Sequence, residues 1–148
     1  MTNSNGGGQR EIRSYVLRQS KMTAGQKKAY NRLYDKYCIP FREEKLDYRE
    51  VFGRDAETIL EIGFGMGELT LELAKQQADR NFLAVEVHKP GVGRLLSQIE
   101  AIGLKNIRII HYDTKHVLRY MLPEESLYGV HIFFPDPWPK KRHHKRRL

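Results

Sequence analysis

Four acidic residues stand at or near the ends of apolar, β-prone segments. They are Glu61, Glu86, Asp113 and Asp136. If these segments are parallel strands of one sheet, their carboxyl ends meet at one edge, and ligands of such sheets bind at that edge. We therefore expect four carboxylates to line one ligand site. A site of this charge favours a ligand that carries positive charge.

A glycine-rich turn follows the first of these segments. The stretch EIGFGMG, residues 61–67, contains Gly63, Gly65 and Gly67, which allow a sharp strand-to-helix turn and close approach of a ligand to the backbone. Glu86 at the end of the second segment can accept hydrogen bonds from both hydroxyls of a ribose. On its own, this glycine-rich sequence is equally compatible with a nucleotide-binding loop and with a tight turn that binds no ligand.

The chemistry of the ligand follows from what the turn lacks. Its pattern is GxGxG rather than the dinucleotide pattern GxGxxG, and the chain contains no GxxxxGK[ST] phosphate loop. Glu61 on the first strand would also repel a pyrophosphate. A cationic nucleoside suits the four carboxylates better, and S-adenosylmethionine, with its sulfonium, ammonium and ribose, fits that description.

The elements that position these residues alternate along the chain. Strands are predicted at 58–63, 81–87, 106–113 and 129–136, and helices at 68–77, 92–102 and 115–121, with the PGVG stretch at 90–93 forming a turn. Strongly apolar strands that alternate with helices are typical of a parallel sheet covered on both faces. The sequence therefore predicts an α/β fold.

The N-terminal third is predicted to have a different organisation. Residues 1–9 form a disordered tail, residues 10–55 an N-terminal arm and helix, and residues 56–148 the main domain. The helix begins after Thr23 with a capping box to Gln26, and Pro40 ends it. Its aromatic stripe is expected to pack in the core rather than bind bases (Tyr30, Leu33, Tyr34, Tyr37). Residues 41–55 are expected to be a connector.

Positive charge is concentrated at the end of the chain. The formal net charge is +8, yet residues 140–148 hold six Lys and Arg and no acid, leaving 20 basic and 18 acidic residues elsewhere. Clustered cations of this kind bind polyanions by releasing counterions from phosphates. A solvated tail or a targeting signal would have the same composition.

Other classes of protein are less compatible with the composition. No apolar stretch reaches the roughly 20 residues that cross a bilayer, and the N-terminus lacks the apolar core of a signal peptide. The single cysteine, Cys38, permits no internal disulfide and is expected to be a small apolar filler. We expect a cytoplasmic protein.

Three stretches together resemble the bacterial tRNA (guanine-N7)-methyltransferases: EIGFGMG, VEVHKPGVG and, most specifically, the C-terminal FPDPWPKKRHHKRRL. The leading segment IRSYVLRQSKMTAGQ is similar to that family as well, so the resemblance runs from about Arg10 to Leu148. It implies a Rossmann-like S-adenosylmethionine-dependent methyltransferase fold. It also implies methylation of a variable-loop guanosine of tRNA at N7, with S-adenosylhomocysteine as the second product.

The resemblance also assigns roles to individual residues. It implies cofactor binding by the glycines of the turn and by Glu61, Glu86, Asp113 and Asp136, with Glu86 at the ribose and Asp113 near the adenine. It implies that Asp136 is catalytic as well. It implies that Lys140 and the basic run beyond it contact tRNA (Arg142, His143, His144, Lys145, Arg146).

Asp136 lies between two prolines in a segment that suits this reaction. Guanine N7 already carries a lone pair, so no proton has to leave before attack, and positioning is the main task. Pro135 and Pro137 restrict the backbone around Asp136. Its carboxylate would contact the guanine edge or offset positive charge developing on the purine. Trp138 would either stack on a base or pack against the domain.

The same resemblance indicates that the fold is incomplete. The methyltransferase fold has seven strands, whereas four are predicted here, so we expect a truncated or proteolysed form of a longer protein. Truncation would leave one sheet edge unpaired, a site for association, and could remove tRNA methylation from the 148-residue chain itself while leaving cofactor binding. A monomer or a homodimer is expected.

Three alternatives remain open at the level of sequence. A non-catalytic RNA-binding protein would retain only the basic segment, and an NAD-dependent oxidoreductase would also use Glu86 on a ribose. The third is a metal site, which His111 with His116 or His143 with His144 suggest. Neither histidine pair has further ligands at a recognised spacing, so no metal is expected.

Overall fold

The computed structural model describes residues 21–132 and 140–146, without the side chains of His143 and Arg146. The helices are α1 (Ala24–Tyr37), α2 (Tyr48–Phe52), α3 (Glu68–Gln76), α4 (Lys89–Ile102) and α5 (Thr114–His116). A π-helical turn, Val117–Met121, continues α5, and a 3-10 helix spans Lys141–Arg146. The strands are β1 (Thr58–Ile62), β2 (Asn81–Val85), β3 (Ile107–Ile110) and β4 (Gly129–Ile132).

The four strands form one parallel sheet in the order β3-β2-β1-β4. Leu60 of β1 pairs with Leu83 of β2 and with Val130 of β4, which places β1 and β2 at the centre. Both central strands are buried along their whole length, as apolar strands covered on two faces must be. The predicted parallel α/β sheet is confirmed, and the carboxyl ends of its strands share one edge.

Two apolar clusters cover the two faces of the sheet. The first packs α1, α3 and α4 against side chains such as Ile59, Phe82 and Ile109. The second packs α2, the segment before it and the π-helical turn against side chains such as Leu60 and Val85. The expected layers of helices on both faces are therefore present.

Helix α1 has the predicted capping box and packs against α4. The Gln26 amide donates to Thr23 Oγ1 at 3.1 Å, and the Thr23 amide donates to Gln26 Oε1 at 2.9 Å. The helix ends at Tyr37, before Pro40, because the chain then runs beside β3, where the Ile39 amide donates to the Ile109 carbonyl at 2.8 Å. Cys38 is buried there, as expected.

The structure differs from the sequence-based elements in several places, and two strands are shorter than predicted: β2 ends at Val85 rather than 87, and β3 ends at Ile110 rather than 113. Residues 41–55 are not only a connector, because Asp47 caps the short helix α2 by accepting from the Arg49 amide at 3.0 Å. The predicted helix over 115–121 is α5 followed by a π-helical turn. The fourth strand is described to Ile132, and positions 133–136 lie outside the described residues.

A further difference is the PGVG stretch, which forms the first turn of α4 rather than a turn before it. Helix α4 begins at Lys89, and Pro90 at its start is compatible with the helix because its missing N–H would have no partner there. A Cβ on Gly91 would lie 1.8 Å from the carbonyl oxygen of Gly65. Glycine at this position therefore lets α4 begin directly against the glycine-rich turn.

We predict that Gly91→Ala destabilises the chain by at least about 2 kcal/mol, since the methyl group meets backbone that must move. Gly25→Ala is the matched control: it also lies in the first turn of a helix, but its Cβ would meet nothing closer than Thr23 Oγ1 at 4.0 Å. We expect the control to gain roughly 0.5–1 kcal/mol. Urea unfolding of both variants measures the difference, and equal stabilities would contradict the close contact.

Candidate active site

The glycine-rich turn connects the carboxyl end of β1 to α3 at the centre of the sheet edge. Gly63, Gly65 and Gly67 all have positive φ angles, of 72°, 61° and 81°. Side chains at these positions would be strained, which explains the glycines. A Cβ on Gly63 or Gly65 would meet no atom within 4 Å, so the backbone of the turn borders open space. A ligand can approach it there.

Glu86, one residue beyond β2, holds this turn. Its Oε2 accepts from the Gly65 amide at 2.7 Å, and its Oε1 accepts from the amides of Val87 and His88 at 2.8 and 3.1 Å. Each carboxylate oxygen has about two acceptor positions, so Oε2 retains capacity for a ligand hydroxyl. The prediction that Glu86 lies at the same sheet edge as the glycine-rich turn is confirmed. Its role at a ribose stays a prediction.

Glu61 lies below the turn, inside β1 and almost fully buried. Its Oε1 accepts from the Thr70 hydroxyl of α3 at 2.9 Å. Its Oε2 has no hydrogen-bond partner among the described residues. Burial raises the pKa of Glu61 to about 7, and the hydrogen bond from Thr70 opposes this only in part. A buried acceptor without a partner suits a site that receives a cationic group.

Asp113 lies three residues beyond β3 and caps α5. It is buried, and its Oδ1 accepts from the Lys115 amide at 2.9 Å. The position matches the sequence-based expectation of a carboxylate at the carboxyl end of the third strand. Asp113, Glu86 and the turn thus follow three neighbouring strands at one edge.

A histidine and a tyrosine that were not assigned to the site connect its parts. His111 Nε2 donates to the Val87 carbonyl at 3.0 Å, and Nδ1 accepts from the Tyr30 hydroxyl at 2.9 Å. Burial is the main cause that lowers the pKa of His111, which keeps the ring neutral for these two contacts. Burial also raises the pKa of Tyr30 to about 12.

Tyr30 was expected to be a core residue of the aromatic stripe. Leu33 and Tyr37 of that stripe are buried as predicted, whereas Tyr30 and Tyr34 are only partly buried against the core. The Lys89 ammonium also lies over the Tyr30 ring, 4.6 Å from its centroid. Periodicity shows which helix face is apolar, but it gives no signal for a contact 81 residues away.

The basic segment lies close to this edge. Lys140, Lys141, Arg142, His144 and Lys145 are exposed. The Lys145 carbonyl accepts from the Lys115 ammonium at the start of α5, two residues after Asp113. Cations for a polyanion therefore sit beside the carboxylate edge. Asp136 and Trp138 lie outside the described residues, as do the side chains of His143 and Arg146.

The described ranges, 21–132 and 140–146, contain no group of three or more His, Cys, Asp or Glu that could hold a metal ion. Within the same ranges no helix is long and apolar enough to cross a bilayer.

Comparisons with known proteins agree with this geometry. Residues 55–148 match the model of a family described as "Putative methyltransferase". The chain is 58% identical over 137 residues to the tRNA (guanine-N(7)-)-methyltransferase of Nitrosomonas eutropha, an alignment covering 93% of this chain and 61% of that protein. It is 52% identical over 139 residues to the protein of the same name from Nitrosospira multiformis, covering 94% and 61%. The chain thus spans about three fifths of the length of these curated relatives.

A solved structure of an antibiotic-related methyltransferase is 17% identical and has a TM-score of 0.49, covering 64% of this chain and 51% of that one.

We predict that Glu61 makes stability fall as pH rises. Its folded pKa of about 7 exceeds the ordinary value of 4.5, so its contribution is complete below pH 4.5 and is lost as pH rises through 7. Glu61→Gln removes this titration. The free energy of unfolding of Glu61→Gln minus that of the parent should therefore increase by roughly 3 kcal/mol between pH 4.5 and pH 8. Chemical unfolding at the two pH values measures the difference. Glu72→Gln, an exposed change on α3, is the control, and an equal effect of Glu61→Gln at both pH values would contradict the prediction.

Proposed function

The chain belongs to the methyltransferase family whose model it matches over residues 55–148, and we propose that it transfers the methyl group of S-adenosylmethionine to N7 of a tRNA guanosine. The observation that carries the proposal is the open backbone of Gly63 and Gly65 at the carboxyl edge of the sheet, where the Gly65 amide donates to Glu86. The choice of tRNA guanine N7 rests on the printed names of relatives that are 52–58% identical.

The residues at this edge fit the proposed cofactor. S-adenosylmethionine would supply an activated methyl group on a positively charged sulfur. Glu86 would accept from its ribose, and Asp113 would lie near its adenine. The partnerless Oε2 of Glu61 offers a buried acceptor below the turn. Three carboxylates within one edge favour such a cation over a pyrophosphate-bearing nucleotide.

The reaction requires little acid–base chemistry from the protein. The lone pair of guanine N7 forms a bond to the methyl carbon while the carbon–sulfur bond breaks, and positive charge passes from sulfur to the purine ring. No proton has to move, so alignment of N7 with the methyl group is the main contribution. We propose that Asp136, between Pro135 and Pro137, faces the guanine edge and offsets the charge that develops there.

The basic segment supplies the grip on the tRNA. Lys140, Lys141, Arg142 and Lys145 are exposed and lie beside the carboxylate edge through the contact of Lys145 with Lys115. Phosphate contacts from such residues position a nucleic acid without reading its sequence. The substrate would place the protein in the cytoplasm. We propose residues 10–55 as the N-terminal arm and helix and 56–148 as the methyltransferase domain, in a monomer or a homodimer.

The test is methyl transfer from labelled S-adenosylmethionine to unmodified tRNA, with the product nucleoside identified by mass spectrometry. We expect 7-methylguanosine from the parent chain and no detectable product from Asp136→Ala, whose tRNA affinity should stay within about threefold. Calorimetric titration with S-adenosylhomocysteine separates the alternatives, because a non-catalytic RNA-binding protein would bind tRNA alone. Absence of both 7-methylguanosine formation and S-adenosylhomocysteine binding with the parent chain would contradict the proposed function. Equal turnover by Asp136→Ala would remove that residue from its role.

Neutralising the basic segment should weaken tRNA binding and flatten its salt dependence. The variant Lys141→Gln/Arg142→Gln/Lys145→Gln removes three exposed cations, so the slope of log affinity against log salt should fall in magnitude by roughly 2–3. Filter binding at several salt concentrations measures the slope. The control replaces Lys27, Lys28 and Lys75, which are exposed on α1 and α3, and should change the slope much less. Equal slopes for the two triple variants would mean that the segment is a solvated tail.

A further inference from the structure

We infer that Tyr112, stacked on Phe41, is a platform for an unpaired base of the tRNA next to the methylated guanosine. This inference rests on the proposed function and adds a second, non-phosphate contact with its substrate. It is carried by a ring cluster that the site described above leaves without a role.

The geometry of the cluster is that of a stack with one open side. The rings of Phe41 and Tyr112 are nearly parallel, 5° apart, with centroids separated by 4.0 Å. His116 meets both rings at an angle, with centroids 5.9 and 5.7 Å away. Tyr112 is nevertheless 39% exposed. Because Phe41 covers one face of Tyr112, we infer that the exposed area includes the opposite face of the ring.

The platform is rigid on its inner side. Phe41 packs against the second core cluster together with Tyr120. The segment that follows it is fastened to the π-helical turn, since the Leu46 amide donates to the Met121 carbonyl at 2.8 Å and the Lys45 ammonium donates to the Arg119 carbonyl at 3.0 Å. A base that stacks on Tyr112 would therefore not have to order the protein first, which favours binding.

Its position and surrounding charge favour RNA as the occupant. Tyr112 directly precedes Asp113 at the carboxyl edge of β3, where the reaction is proposed to occur. Lys115 connects this point to the basic 3-10 helix through the Lys145 carbonyl, and the exposed Arg119 guanidinium lies over the Tyr120 ring at 5.1 Å. Aromatic faces set within a cationic surface are the usual means of binding single-stranded nucleotides.

The chemistry of the substrate supplies the ligand for this surface. An enzyme that acts on a ring atom of a base takes that base out of its stack. The neighbouring base then loses a stacking partner and exposes one face. Tyr112 can cover that face whatever the identity of the base, since every base has a π surface.

The first test measures tRNA affinity by filter binding. We expect Tyr112→Ala to weaken binding roughly 5- to 150-fold and Tyr112→Phe, which keeps the ring, to stay within about twofold. The salt slope should not change, because no phosphate contact is lost. Tyr128→Ala is the matched control: Tyr128 is a tyrosine that is 57% exposed and lies beside a cation, Arg80, but it is next to the first residue of β1 at the other sheet edge.

The second test needs no variant, so it holds even if Tyr112→Ala folds poorly. Ultraviolet cross-linking of the parent chain to tRNA, trypsin digestion and mass spectrometry should find nucleotide attached to peptide 109–115, which contains Tyr112. Cross-links confined to other peptides would overturn the inference.

The remaining outcomes separate this inference from the proposed function. If the lysine and arginine variant weakens tRNA binding while Tyr112→Ala does not, the platform is wrong and the function stands. If Tyr112→Ala loses S-adenosylhomocysteine affinity by the same factor as tRNA affinity, the ring serves the cofactor, and the inference also fails. A parent chain that does not bind tRNA would overturn both.

Discussion

The hydrogen bonds that the Glu86 carboxylate accepts are the interactions on which the loop geometry at the carboxyl edge of the sheet depends. This carboxylate accepts hydrogen bonds from three backbone amides, one in the glycine-rich turn after β1 and two in its own segment after β2. Hydrogen bonds to a charged acceptor contribute roughly 1.5–3 kcal/mol each. A single side chain thus sets the distance between the two loops that border the site. The same carboxylate is the group proposed to receive the ribose, so cofactor binding would be directly coupled to the geometry of the two loops.

The glycine at the start of α4 completes this arrangement from the other side. Gly91 lets the helix approach the Gly65 carbonyl so closely that no side chain fits between them. Gly67 has a similar contact, since a Cβ there would lie 2.8 Å from Leu95 Cδ1. The turn therefore contacts α4 and Glu86 on one side. On its other side, the backbone of Gly63 and Gly65 borders open space. Close packing at Gly67 and open space at Gly63 and Gly65 thus occur within one short turn.

Acidic and basic residues lie close together at this edge, but they differ in burial. Glu61 and Asp113 are buried, whereas the lysines and arginines of the basic segment are exposed. Buried carboxylates act over short distances on a bound cation, because the surrounding dielectric is low. Exposed cations attract phosphates over about a Debye length. The edge is therefore suited to the proposed small cation and the proposed polyanion at once.

The sequence by itself determined the parallel sheet, the glycine-rich turn, the capping box of α1 and the placement of Glu86 and Asp113 at the carboxyl edge of the sheet, although both strands end earlier than predicted. These features follow from local periodicity and from the rule that parallel strands end at one edge. The tertiary structure alone decided how far Glu61 is buried, where α4 begins, that Tyr30 reaches His111, and that Phe41 stacks on Tyr112. Each of these depends on contacts between residues far apart in the chain. Local pattern cannot encode them, because it records which face of an element is apolar but not which neighbour covers it.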